Sequence, residues 1–481
     1  MAMIVTLNGV EISVEQGTLL SDIVGMEKPC GGHGRCGKCK VIAHGTLSAL
    51  TENEKKHLTH EEIENGVRLA CVTSALGACE IYTLEQSEKT QIVTGGTSVI
   101  TELAPAFSDY GVAIDIGTTT LAARLYDARG SVLAEASLAG KAKELAATIR
   151  RALDEIRSEL ATVAKIDSKL IDAITVTGNT VMLYLLTEES VEPLSHAPFE
   201  AKRLFGETVA AGELGLLSLN PNAEIYIPRC ISAFVGADTT CAIISTDMCS
   251  NGKITMLADI GTNGEMAIWN GGKLTVCSTA AGPAFEGVGI SMGMRGAVGA
   301  IDKVSLNNGE ICAHVIGNID AKGICGSGLI DAIACLLDAD VIDETGFLED
   351  DEITLLSPVT LTQNDIRMVQ LAKSAICAGM LTLLDTRELS VSDVEDIYIA
   401  GGFGNYLNIM NAEKIGLLPP DVHAKVKVVG NAALDGASIL LLNSAKRSVA
   451  NAMSDRAETL NLSANKVFSD HYIMGMMFGE L

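Results

Sequence analysis

Val112-Ala-Ile-Asp-Ile-Gly-Thr-Thr-Thr-Leu121 returns in the second half of the chain as Met256-Leu-Ala-Asp-Ile-Gly-Thr-Asn-Gly-Glu265. Each copy is an apolar run, an aspartate, then Ile-Gly-Thr and a second run. That pattern reads as a buried strand, a tight turn and another strand. The copies are too far apart for a solenoid, whose units stack on their immediate neighbours. They predict the two halves of a duplicated α/β domain facing each other across a cleft, with Asp115 and Asp259 at the ends of matching strands.

The surroundings fit this frame. Residues 111–127 and 131–138 read as three strands, Lys141–Val163 as an amphipathic helix with a charged outer face, and residues 171–177 as a buried strand. Further helices are predicted near 326–341, 363–387 and 431–445. At 481 residues the chain exceeds one ordinary core, so two to four domains are expected. The reading divides it into residues 1–86, a linker at 87–109 rich in Thr, Ser and Gly, and the two halves at 110–250 and 251–481.

The front segment has a different character. Val10, Ile12 and Val14 alternate with polar residues after Asn8-Gly9, which predicts a β-hairpin over residues 3–15. Thr51 with Glu54 is a capping box for a short helix, and Cys79–Leu84 reads as a strand. Strands, short helices and one long cysteine-bearing loop suggest a small α+β domain of the β-grasp type.

Composition narrows the function classes. A formal net charge of −25, few aromatics and a single tryptophan, Trp269, argue against nucleic acid as a partner, because such a surface repels phosphates and offers little for base stacking. The N-terminal residues show no basic stretch followed by an apolar core, and no run of about 18 apolar residues occurs, so neither a secretory signal nor a membrane span is expected. Nine of the 13 cysteines are scattered singly from Cys79 to Cys377 among apolar residues, as reduced core thiols are, which points to the cytoplasm.

The other four are grouped. Cys30-Gly-Gly-His-Gly-Arg-Cys36-Gly-Lys-Cys39 is closed by Cys71 in Arg68-Leu-Ala-Cys-Val-Thr73. The spacing differs by one residue from the plant ferredoxin pattern C-x4-C-x2-C…C, and its glycines let a loop wrap its N–H groups round a cluster. Cys30, Cys36, Cys39 and Cys71 are therefore expected to ligate a [2Fe–2S] cluster. Zinc on the same four thiols is the alternative, although zinc sites commonly pair two short C-x2–4-C units. The GxGxxG match at Gly32–Gly37 and the near P-loop at Gly32–Cys39 lack the following helix.

Asp115-Ile-Gly-Thr-Thr-Thr120 resembles the first phosphate motif of the actin, sugar kinase and heat-shock chaperone superfamily, and Asp259-Ile-Gly-Thr-Asn-Gly-Glu265 the second. Val176-Thr-Gly-Asn179 resembles the connecting motif and Ile399-Ala-Gly-Gly-Phe-Gly-Asn405 the adenosine motif, in the superfamily's order. The resemblance implies a duplicated, ribonuclease H-like ATPase domain. Gly117, Thr118, Thr119, Gly261, Thr262 and Asn263 would meet the phosphates, Gly401, Gly402 and Asn405 the adenosine, and Asp115 and Asp259 Mg²⁺ and its waters. Gly326, Ser327 and Gly328, at the start of a helix, suit phosphate or ribose. Glu265 reads equally as catalytic or as an ordinary strand residue. Cys325 resembles in position a cluster ligand of the 2-hydroxyacyl-CoA dehydratase activators, but without a second cysteine it reads as a buried thiol.

A [2Fe–2S] ferredoxin domain fused to this ATPase fold resembles the reductive activators of corrinoid proteins, and the resemblance covers nearly the whole chain. It includes Gly178-Asn-Thr-Val-Met182, Ala197-Pro-Phe199, Ala281-Gly-Pro-Ala-Phe-Glu-Gly287 and Gly323-Ile-Cys-Gly-Ser-Gly-Leu-Ile-Asp331. It implies ATP-driven reduction of Co(II) to Co(I) in a corrinoid protein of a methyltransferase system, fed by an upstream electron donor. Alternatives are an ATP-driven donor to another low-potential metalloenzyme, a small-molecule kinase with a regulatory cluster, and a redox-sensing scaffold. Gly282–Met294, with Glu286 exposed by pattern, reads as a partner-contact loop or as part of the cleft wall. The chain has little between its ferredoxin and ATPase parts, where longer relatives carry a further segment, and Tyr184 stands where a histidine is common.

Overall fold

The computed structural model describes residues 2–7, 10–24, 39–59, 62–63, 65–83, 103–118, 120–139, 145–216, 223–307, 309–402 and 406–479. The chain divides into two compact units, Met1–Glu88 and Lys89–Leu481.

The first unit is one mixed sheet of β1 (Ala2–Leu7), β2 (Val10–Glu15), β3 (Lys40–Leu47), β4 (Val67–Leu69) and β5 (Ala75–Thr83), in the order β2-β1-β5-β3-β4. β1 and β2 pair antiparallel, as the alternation predicts, and β1 runs parallel to β5. Two short helices, α1 (Leu20–Val24) and α2 (Glu52–His57), accompany the sheet. Val5, Leu20, Val41, Leu69 and Ile81 form the core together with Cys39 and Cys71. α2 opens on the predicted Thr51–Glu54 capping box, but Glu54 does more than cap. Its side chain is fully buried and accepts from Arg68 Nε at 2.8 Å, Leu69 N at 3.2 Å and Thr73 Oγ1 at 2.9 Å. One carboxylate thus holds the turn that contains Cys71 from both sides.

The second unit contains two six-stranded sheets. The first comprises β6 (Tyr110–Ile116), β7 (Thr120–Asp127), β8 (Val132–Ala139), β9 (Ile171–Gly178), β10 (Glu207–Ala210) and β11 (Glu224–Ile227), ordered β10-β11-β9-β6-β7-β8. After it come β12 (Thr255–Ile260), β13 (Gly264–Asn270) and β14 (Lys273–Thr279), a small sheet of β15 (Ala300–Asn307), β16 (Glu310–Val315) and β17 (Gly323–Ile324), and the hairpin β18 (Glu352–Leu356) with β19 (Val359–Thr362). β20 (Asp396–Ala400), β21 (Val426–Gly430) and β22 (Glu458–Thr459) complete the second large sheet, ordered β21-β20-β12-β13-β14-β22. The strings β11-β9-β6-β7-β8 and β21-β20-β12-β13-β14 repeat each other in both order and direction. The duplication read from the two Asp-Ile-Gly-Thr segments is therefore a duplication of whole sheets.

Helices cover the sheets unequally. The outer face of the first sheet is closed by α3 (Leu145–Ala164) through Leu153, Ile156 and Leu160, with α4 (Thr180–Leu186) beside it. Four further helices matter to the site and its packing: α5 (Ala237–Thr246), α6 (Gly326–Asp338), α7 (Gln363–Thr386) and α8 (Ala432–Leu442). α6 and α7 close the outer face of the second sheet. On the inner faces the helices are exchanged. Leu434, Ala437, Leu440 and Leu441 of α8 pack on Ala113, Ala122, Tyr126 and Ala173 of the first sheet. Ala242 and Ile243 of α5 pack on Leu257, Ala267 and Val276 of the second. The exchange is pinned by Arg124 of β7, which donates through Nη1 to Asp435 of α8 at 2.8 Å and pairs through Nε with Glu135 at 2.7 Å.

α5 and α8 touch backbone to backbone. A Cβ built on Gly436 would lie 1.9 Å from the Cys241 carbonyl oxygen. Gly436→Ala is therefore expected to destabilise the second unit by roughly 1–3 kcal/mol or more, read as a lower midpoint in urea with an unchanged slope. A midpoint equal to wild type would mean that the helices separate at no cost.

Three details bear on the expectations. Of the linker at 87–109, residues 103–109 belong to the second unit: Phe107 is buried in its core and Ala104 N donates to Leu442 O at 2.8 Å. Tyr184 is buried, and its hydroxyl accepts from Arg203 N at 2.8 Å, so this position serves packing. α7 is long and apolar enough to cross a membrane, but 78% of its apolar window is buried within the protein.

Candidate functional site

Asp115 is the next-to-last residue of β6 and Asp259 of β12, so the duplication delivers one carboxylate from each half to the same place. After each strand the chain turns back at once. Gly117 N donates to Thr120 O at 2.9 Å, and Gly261 N to Asn263 O at 3.0 Å. Both turns open onto one cavity lined by Asp115, Gly117, Thr118, Asp259, Gly261, Thr262 and Asn263, with Gly326, Ser327, Gly401 and Gly402 on the same wall. The predicted site residues thus converge, with three exceptions. Thr119 and Asn405 lie outside the described residues. Gly328 faces the Ile301 carbonyl, 2.3 Å from where its Cβ would be, and does not line the cavity.

The turn at Gly401 needs glycine. Its φ is +121°, and a Cβ there would lie 2.3 Å from Ile260 O. Any side chain here would collide with the end of β12. Gly326 begins α6, a 13-residue helix whose first two residues, Gly326 and Ser327, line the cavity. Cys325 just before it is a buried thiol on the wall, with Sγ 3.4 Å from Ile301 O.

Sequence reasoning missed several groups. Asp238, in the first turn of α5, and Asn431, the N-cap of α8, both line the cavity, as do Asp302, Arg295 and Tyr406. Asn179, which the sequence reading did place in the connecting motif, lines the cavity, caps α4 and donates to Thr118 Oγ1 at 3.4 Å. Glu286 is half-buried rather than exposed: it lines the cavity and accepts from Thr262 Oγ1 at 2.9 Å.

The cavity is strongly acidic. Burial pushes the Asp115 carboxyl up to about 8, the charge of Asp238 adds to this, and the Asn431 amide draws it partly back. Burial and then Asp238 and Glu286 raise Asp259 to about 7. Asp238 itself is lifted to about 6 by burial, against hydrogen bonds from Thr239. Glu265 is raised well above the usual carboxylate range by burial, then by Asp238 and Asp259. Among the described residues Arg295 is the only basic side chain on the wall. Such an array repels itself and is relieved by a divalent cation. No three acidic, His or Cys side chains among the described residues approach closely enough to bind one ion directly.

In the first unit, Cys39 and Cys71 are both buried, with their sulfurs 3.1 Å apart, too far for a disulfide and close enough to share one metal centre. The β3–β4 ladder and the Ala70 N to Cys39 O bond of 2.7 Å fix the two segments together. Cys30 and Cys36 lie outside the described residues.

Two paired sheets with exchanged inner helices, enclosing an acidic cleft between phosphate turns, define an ATPase domain of the ASKHA class. Two family profiles match the second unit: "RACo middle region" over residues 132–251 and "C-terminal domain of RACo the ASKHA domain" over 253–480. The corrinoid activation enzyme RamQ of Eubacterium limosum is 33% identical over 459 residues, covering 83% of this chain and 76% of that protein. The [Co(II) methylated amine-specific corrinoid protein] reductase of Methanosarcina barkeri is 26% identical over 345 residues, 65% of this chain and 64% of that one. Among solved structures, a reductive activator for corrinoid, iron-sulfur protein superposes with a TM-score of 0.71 at 26% identity, covering 99% of this chain and 98% of its own. The chain belongs to the RACo family of reductive activators of corrinoid proteins. The middle-region match falls within the first half of the duplicated fold.

Proposed function

We propose that this protein is an ATP-dependent reductase that returns the cobalt of a corrinoid protein from Co(II) to Co(I), one electron at a time, with residues 1–86 as a β-grasp [2Fe–2S] ferredoxin domain. The observation that carries this is a paired, buried Cys39–Cys71 thiol site and an acidic two-lobed nucleotide cleft on one polypeptide. The sheet order β2-β1-β5-β3-β4, with parallel central strands, is what a β-grasp domain requires. Cys30, Cys36, Cys39 and Cys71 would hold the cluster, which when bound supplies single electrons delivered by an upstream donor. None of the described cysteines is joined in a disulfide, and the reading places the protein in the cytoplasm.

The need for ATP follows from the potential gap. Each ~59 mV of uphill transfer is a factor of ten for one electron, so a gap of a few hundred millivolts needs roughly 5 kcal/mol or more. The nucleotide supplies this only if the protein binds its partner differently in the two cleft states. In this chain the phosphates would lie on the N–H groups of the Gly117 and Gly261 turns, while Asp115 and Asp259 hold the waters of Mg²⁺. Closing the cleft moves one sheet, and the helix of the other half laid upon it, against its partner.

The test is direct. The reduced protein, mixed with a cobalamin-binding protein encoded beside its gene, should generate the Co(I) absorption spectrum with ATP and Mg²⁺ and much less without them. Equal Co(I) yield and rate with and without nucleotide would refute the proposal.

A further inference from the structure

Asn431 occupies a singular place in the cleft. It follows Gly430, whose carbonyl accepts from Gly401 N at 3.1 Å, and it caps α8 by accepting from Leu434 N at 2.8 Å. Because its Oδ1 is used by a backbone N–H, its amide nitrogen must point the other way. Nδ2 donates to Asp115 Oδ2 at 3.1 Å, across the boundary between the halves. One side chain therefore links the glycine turn of the second half, the helix laid upon the first sheet, and the carboxylate at the end of β6. The duplication does not repeat this device. The matching helix α5 is capped by Gly236 with no side-chain bond, and its Asp238 presents to Asp259 a like charge rather than a donor.

We propose that Asn431 is a positioning residue for ATP turnover: it fixes the orientation of Asp115 in the cleft. The inference rests on the ATPase reading above. Held by a side chain that is itself fixed by capping α8, the carboxylate keeps one orientation towards the cleft, as positioning of a reacting group requires.

Asn431→Ser tests this, because serine still caps α8 but is too short to reach Asp115. The variant should melt near the wild-type temperature and bind ATP within about threefold of wild type, while kcat falls by about 10- to 100-fold, the loss expected when one hydrogen bond to a charged group is removed from the transition state. Asn431→Asp, which caps equally well but opposes Asp115 with a like charge, should fall at least as far. A kcat within twofold of wild type in either variant would overturn the proposal. So would a loss of kcat matched by equal losses of ATP affinity and melting temperature, which is the mark of a merely structural residue. If the wild-type protein itself fails to turn over ATP, the ATPase reading falls, and that result is distinguishable from failure of the Asn431 role alone.

Discussion

An Asp115→Ala protein is expected to lose Mg²⁺-dependent ATP turnover by at least about 100-fold while melting at or slightly above the wild-type temperature. The two effects have one cause. Burial and the neighbouring Asp238 make the ionised Asp115 costly in the nucleotide-free fold, so removing it relieves the cleft. The same carboxylate, matched by Asp259 from the other half, is what would orient the waters of a cation on the phosphates. Deleting one of two such groups leaves the metal held from one side. Steady-state hydrolysis with Mg²⁺ titration and a thermal melt of the same preparation check both parts. Turnover within tenfold of wild type would remove Asp115 from the reaction, and a markedly lower melting temperature would make it a structural residue instead.

Glu54→Ala is expected to cost the first unit about 3–5 kcal/mol, the range seen when one partner of a buried pair is removed. Arg68 would then lie nearly buried with its main partner gone, and the Leu69 N–H and Thr73 hydroxyl would lose their acceptor. In the full-length protein this should appear as fast hydrogen exchange at Leu69–Thr73 and an early unfolding step in urea. Exchange unchanged from wild type would refute it. A pH dependence follows from the same network. Burial acts to raise the Glu54 pKa, but Arg68, the Thr51 N–H and the Thr73 hydroxyl outweigh it and bring it down from 4.5 to about 2. A carboxyl depressed on folding stabilises fully above its unfolded value. The contribution, about 3 kcal/mol, is therefore present above pH 4.5 and lost as the pH falls towards 2. Glu54→Ala should remove that acid limb. Because Glu54 brackets Cys71, whatever Cys39 and Cys71 hold depends on it.

Much of this architecture is legible in the residues themselves, because the phosphate turns are local. Asp115, Gly117 and Thr118 are neighbours in sequence, and the same holds for Asp259 to Asn263, so a short segment carries both the fold signal and the chemistry. Asp238 and Asn431 are invisible to that kind of reading. Each stands in the first turn of a helix, where an aspartate or asparagine is ordinarily only a cap. Their place in the cleft arises because α5 and α8 are exchanged between the sheets. Gly328 erred in the opposite way: its position in a glycine-rich helix start suggested a ligand contact, whereas the missing side chain makes room for β15. Glu54 was read as half of a capping box, which it is; the three further bonds come from β4 and the turn beyond it.

The exchange of inner helices also bears on how the chain is made. The sheet of residues 110–227 has one face that stays bare until Leu434–Leu442 has been synthesised, some 200 residues later. At roughly 5–20 residues per second, that face waits on the order of 10–40 s after its own strands have left the ribosome. An isolated first half would never acquire its cover. Truncation anywhere before α8 should therefore yield an aggregating fragment rather than a smaller working domain, and the newborn chain depends on a chaperone or a slow, late docking to reach its native state.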